Sequence, residues 1–93
     1  MRIRIESNFD IPGMHGNELE LEDGTTLRQV LGEIARITEG RIEFFRRGSD
    51  RLDTEDWEVD LNGVPYHACN GQLETLIADG DVVAVRLVVI GGG

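Results

Sequence analysis

Apolar and polar positions alternate at the start of the chain. Met1, Ile3, Ile5 and Phe9 are interleaved with Arg2, Arg4 and Glu6, a period of two that predicts a strand buried on one face. Leu19 and Leu21 alternate with Glu18, Glu20 and Glu22 in the same way, and Pro12, Gly13 and Gly16 punctuate the loop between. If these two strands pair, outward arginines face outward glutamates, and each such pair contributes roughly 0.2 to 1 kcal/mol. Asp23-Gly24 turns the chain. Thr26 with Gln29 three residues later makes a capping box, and Leu27, Val30, Leu31, Ile34 and Ile37 then recur at helical spacing on one stripe, with Gly40 as the stop.

The pattern weakens from Arg41 to Asp56. Ile42, Phe44 and Phe45 are compatible with a short strand or a helix extension, and Arg46 to Asp56 reads as an exposed, charged loop. Trp57, Val59 and Leu61 alternate with Glu58 and Asp60 up to the tight-turn dipeptide Asn62-Gly63, and Val64 to Cys69 reads as a short return strand closed by Asn70-Gly71. Leu73, Leu76 and Ile77 suggest one helical turn, and Asp79-Gly80-Asp81 leads into Val82 to Ile90. That last segment is apolar on both faces apart from Arg86, which predicts an interior strand. The order predicts an α+β fold: one main helix across a mixed sheet, with the first and last strands adjacent at its centre. No repeat or low-complexity segment interrupts it.

Composition narrows the function. A chain of 93 residues is one domain with a thin core, which favours a carrier, adaptor or interaction module over a free-standing enzyme. Net charge is −9, with 18 acidic residues against 9 basic ones, all arginine. Nucleic acid and anionic membrane are therefore poor partners, and a protein with a basic docking surface fits better. The acidity equally serves solubility. Without lysine, the chain offers no side-chain ammonium for acylation. Cys69 is the single cysteine, so an internal disulfide and multi-cysteine metal sites are excluded. Met1 to Glu6 has no apolar signal region, and the aliphatic stretches are too short to span a bilayer, so the expected location is cytoplasmic.

Gly91, Gly92 and Gly93 follow directly on the last apolar stretch. Such a run can be threaded through a channel too narrow for side chains, and extended it reaches about 10 Å. A frayed terminus or a truncated linker is the plain alternative. The expected division is a body of residues 1–90 and a tail of 91–93. Other chemistry is weaker. His67 and Cys69, two apart on a shared strand face, suggest a Cys/His nucleophile, but no orienting third group accompanies them. Adding His15 gives no ligand spacing typical of a metal site. Glu55, Asp56, Glu58 and Asp60 could pair as acid and base, though a solvated acidic face explains them. Asn8, Gly13 and Gly16 match no phosphate loop.

Three stretches together resemble a family: Asn62-Gly63-Val64-Pro65 after a strand, Leu73 through Asp79-Gly80-Asp81, and the closing glycines after an apolar strand. They are similar to the ubiquitin-like β-grasp sulfur carriers of the MoaD/ThiS kind, over nearly the whole chain and least well at Arg41 to Asp56. The resemblance implies that the carboxylate of Gly93 is adenylated by a partner enzyme using ATP and then converted to a thiocarboxylate. It matches Gly92 and Gly93 to the family's closing pair, with Gly91 before them. The carrier would bind no cofactor and no metal of its own. Its partners would be a ubiquitin-activating-like adenylating enzyme, a sulfur donor and a synthase large subunit, with Arg86, Val88 and Ile90 bordering the docking surface. Length and the extra segment after the helix favour the molybdopterin branch. The proline-free Leu87-Val88-Val89-Ile90-Gly91-Gly92-Gly93 departs from it toward the thiamine branch. The alternatives are a β-grasp protein-interaction adaptor and a ubiquitin-like protein modifier.

Overall fold

The computed structural model describes residues 1–88, so Ile90, Gly91, Gly92 and Gly93 lie outside the described residues, as does the expected boundary between body and tail. Five strands and one helix form the body: β1 (Arg2–Ser7), β2 (Glu18–Glu20), α1 (Leu27–Ile37), β3 (Trp57–Leu61), β4 (Val64–Pro65) and β5 (Val82–Leu87). They make a single mixed sheet in the order β2-β1-β5-β3-β4. β1 and β5 are parallel and central, as the apolar run of β5 predicts, and the other neighbours are antiparallel.

The helix forms where its start signal lies. Thr26 Oγ1 accepts from the Gln29 backbone N–H at 3.2 Å, and the Gln29 side chain accepts from the Thr26 N–H at 2.9 Å, so two otherwise unpaired donors are satisfied reciprocally. Its stripe of Leu27, Val30, Leu31 and Ile34 is fully buried against Ile3 and Ile5 of β1, Val59 of β3 and Val83 and Val85 of β5. Each such side chain contributes about 1.5–3 kcal/mol on burial. Ile37 is only half-buried; the buried Thr38 follows it, and the left-handed exit begins at Glu39 (φ 56°), one residue before Gly40.

The β1–β2 register sets Arg2 opposite Glu20 and Arg4 opposite Glu18, with Arg2 Nε 2.9 Å from Glu20 Oε1, as the charge alternation predicts.

Three expectations are corrected. Val64 to Cys69 is not a return strand: only Val64–Pro65 pairs with β3, and Tyr66–Ala68 winds into a 3-10 turn. The helical turn expected around Leu73 is a second 3-10 turn, Gln72–Glu74; Leu73 and Ile77 are buried, but Leu76 is 66% exposed and bridges to Thr26. Arg46 to Asp56 is not simply an exposed loop, since it buries Leu52, and Ile42, Phe44 and Phe45 before it form neither a named strand nor a helix extension. Ile42, Phe44 and Leu52 belong to the core, Phe45 bridges to Leu52, and the Phe44 ring lies 4.8 Å from Trp57. Among the described residues no helix is long and apolar enough to cross a membrane.

Candidate functional site

The last described residues before the closing glycines are those at the end of β5. Parallel pairing with β1 runs to Ser7 opposite Val85, where the Ser7 hydroxyl donates to the Phe9 carbonyl at 2.6 Å and β1 ends. The Asn8 side chain then takes over the ladder. Its Nδ2 donates to the Leu87 carbonyl at 3.0 Å and its Oδ1 accepts from the Leu87 N–H at 2.9 Å. On the opposite side Leu87 faces Trp57 of β3, and the Val88 N–H donates to the Asp56 carbonyl at 2.7 Å. The chain is thus held on the β1 side as far as Leu87 and on the β3 side as far as Val88.

Val88 is half-buried just past the end of β5, and Arg86 lies on the sheet face opposite the buried Val83 and Val85, beside Glu58 and Asp60. The Arg86 guanidinium is committed there: Nη2 lies 2.5 Å from Asp60 Oδ2 and Nε 3.3 Å from Glu58 Oε2. These hydrogen bonds, Asp60 first, raise the Arg86 pKa further, so it is cationic at any accessible pH. Arg86 is therefore half-exposed and paired with two carboxylates rather than a free cation.

At the other end of β5, two of the three sequence stretches that carried the resemblance touch each other. Asn62 (φ 52°) and Gly63 (φ 83°) form the left-handed two-residue turn between β3 and β4. Asn62 Oδ1 accepts from the Val82 N–H at 2.8 Å, and its Nδ2 donates to Asp81 Oδ1 at 3.0 Å. Asp81 Oδ2 accepts from the Ala78 N–H at 2.8 Å. These motifs fix where β5 begins.

His67 and Cys69 do not share a strand face. His67 lies in the 3-10 turn Tyr66–Ala68 and Cys69 caps it. Burial, with the Asp60 carboxylate second, pushes the Cys69 thiol up, which disfavours the thiolate a nucleophile needs. Among the described residues no group of three His, Cys, Asp or Glu side chains is placed to hold a metal, and His15 is exposed in the β1–β2 loop. Glu55 pairs with Arg46 at 2.7 Å, while Glu58 and Asp60 pair with Arg86; Asp56 acts through its backbone carbonyl. None of the four is set against another as acid and base.

An open groove of about 940 Å³ lies between the 41–56 segment and the two 3-10 turns, with Arg28, Asp50, Arg51, Tyr66, Cys69 and Glu74 among its walls. Neither Arg86 nor Leu87 nor Val88 lines it, so it lies apart from the tail base. Arg28 ties its edges together through Glu74 (2.5 Å), the Asp50 carbonyl (2.6 Å) and the Phe45 ring (5.3 Å). Sequence reasoning missed this groove and passed over Asn8. The one available signal for Asn8 was an Asn just beyond a strand end, where its side chain can substitute for backbone.

No protein-family model matches the chain, and no curated protein does. Two solved structures do. SAMP1 from Haloferax volcanii superposes with a TM-score of 0.72 at 18% identity, covering 99% of this chain and 100% of that one. A candidate molybdopterin converting factor, subunit 1, from Pyrococcus furiosus superposes with a TM-score of 0.67 at 26% identity, covering 95% and 98%. The fold is the ubiquitin-like β-grasp over nearly the whole chain, and the Pyrococcus furiosus neighbour is consistent with the MoaD/ThiS resemblance.

Proposed function

We propose that the chain is a sulfur carrier whose Gly93 carboxylate is activated by a partner enzyme. The observation that carries this reading is the construction of β5. An interior strand, held from both sides up to Leu87 and by Asp56 at Val88, leads into a sequence that closes on three glycines.

An α-carboxylate has a pKa near roughly 3.5, so at neutral pH it is an anion inert to sulfur nucleophiles. Its oxygen attacks the α-phosphorus of ATP, the bond to the β-phosphate breaks, and pyrophosphate leaves. A hydrosulfide-level nucleophile then attacks the acyl carbon, the bond to AMP breaks, AMP departs with the electron pair, and the thiol proton passes to solvent. The first step sets anion against anion, so cationic groups and close positioning come from the partner. This chain supplies geometry and the acyl group.

The molybdopterin branch is supported by the Pyrococcus furiosus neighbour and by the extra 41–56 segment, and a synthase large subunit is the corresponding partner. The adenylating enzyme, the sulfur donor, the partner's use of ATP and a cytoplasmic location belong to the same proposal. A second reading, a ubiquitin-like protein modifier, is favoured by the likeness to SAMP1, a small archaeal modifier. Both readings share the activation step. It is tested by ATP–pyrophosphate exchange with the adenylating enzyme of the same organism: exchange dependent on this chain supports activation, and its absence removes both readings. Conjugates on target lysines would then select the modifier, and a thiocarboxylate the carrier.

A further inference from the structure

We infer that Asn8 is a positioning residue for the tail, holding Leu87 in the orientation from which the activating enzyme takes up the C-terminus; this rests on the carrier reading. The β1 backbone turns away after Ser7, so Leu87 has no strand partner on that side. One side chain replaces it. A carboxamide is a backbone amide in miniature, and Asn8 satisfies both polar groups of Leu87, donating at 3.0 Å and accepting at 2.9 Å. The loop carrying Asn8 is seated by Phe9, whose ring lies 5.6 Å from Trp57. Trp57 is in turn fixed by its Nε1–H donating to the Glu43 carbonyl at 3.0 Å. The 41–56 segment therefore braces the tail base twice, through Glu43 on Trp57 and through Asp56 on Val88.

Without Asn8, Leu87 is held along one edge only. Part of the population then presents the tail in directions the partner does not accept, and apparent affinity falls by the competent fraction while the bound, correctly threaded chain reacts as before. The effect belongs in KM rather than kcat.

The test compares the wild-type chain with Asn8→Ala, which loses both bonds, and Asn8→Asp, which keeps only the acceptor for the Leu87 N–H. Amide hydrogen exchange is expected to quicken at Leu87 in Asn8→Ala while Val83 and Val85 keep their protection. In ATP–pyrophosphate exchange, KM for the carrier is expected to rise about 5- to 30-fold with kcat unchanged, the size expected for one to two hydrogen bonds, and Asn8→Asp is expected between. Unchanged protection at Leu87 overturns the inference, as does faster Leu87 exchange with an unaltered KM. A KM rise accompanied by lost protection across the whole sheet also overturns it, because that is general destabilisation. If the wild-type chain supports no exchange of pyrophosphate, the carrier reading fails, and Leu87 protection alone decides whether Asn8 holds the tail base.

Discussion

Asn62 and Asp81 are joined by a side-chain hydrogen bond of 3.0 Å, although they belong to different turns. The bond locks the β3–β4 turn to the entrance of β5, and Asn62 also takes the Val82 N–H through its Oδ1. Asn62 further sits at φ 52°, where most residues are strained. Asn62→Ala is expected to lower stability by about 1–2 kcal/mol through the lost bonds and the added strain. Asn62→Gly removes the strain but not the loss, and is expected to fall between Ala and wild type. Urea denaturation at neutral pH reads the order directly.

Gly13 and Gly16 lie in the same loop and both have φ 80°, yet their surroundings differ. A Cβ at Gly13 would meet the Ile37 carbonyl oxygen at 2.6 Å, whereas one at Gly16 meets nothing within 4 Å. Gly16→Ala is expected to cost about 1 kcal/mol from left-handed strain alone. Gly13→Ala adds a backbone clash against the end of α1, and its thermal midpoint is expected to be clearly the lower of the two.

The role of the 41–56 segment in the core is tested at Phe44 and Phe45. Phe44 is 1% exposed and packs on Trp57, while Phe45 is half-buried. Phe44→Ala is expected to cost about 3–5 kcal/mol, the range for a buried aromatic, against well under that for Phe45→Ala. Equal and small effects would mean that the segment is a surface appendage.

Arg46 hydrogen-bonds Asp53 at 3.2 Å, and this bond, ahead of the backbone N–H groups of Glu55 and Asp56, holds the Asp53 carboxyl below its ordinary range. A folded-state pKa below the unfolded value, about 3.9, means stability present above that value and lost as pH falls through the folded pKa. The stability gap between wild type and Arg46→Ala is therefore expected to hold from neutral pH down to about pH 5 and to close in more acidic solution. Thermal melts across that range measure it.

The helix, the β1–β2 hairpin and the interior character of β5 were legible because each rests on a local pattern: period two in Arg2–Ser7, a stripe at Leu27, Val30, Leu31 and Ile34, a run at Val82–Leu87 that is apolar apart from Arg86. Ile42, Phe44 and Leu52 follow no period, and only their packing against Trp57 and its neighbours makes them core. Val64 to Cys69 read as a strand because it lies between the turn dipeptides Asn62-Gly63 and Asn70-Gly71, but the chain leaves β3 after Pro65. The clamp of Asn8 on Leu87 spans 79 positions, so the one local signal, an Asn just beyond a strand end, does not name its partner. Gly91, Gly92 and Gly93 stood out in the sequence by composition alone, and they remain the chemical centre of the proposal.

Intact-mass spectrometry of the chain after incubation with its adenylating enzyme, ATP and a sulfide source tests that centre most directly. The full chain is expected to gain the mass of one sulfur in place of one oxygen, and a chain lacking Gly92 and Gly93 to gain nothing. No gain on the full chain, or an equal gain on the truncated one, would contradict transfer of sulfur to the Gly93 carboxylate.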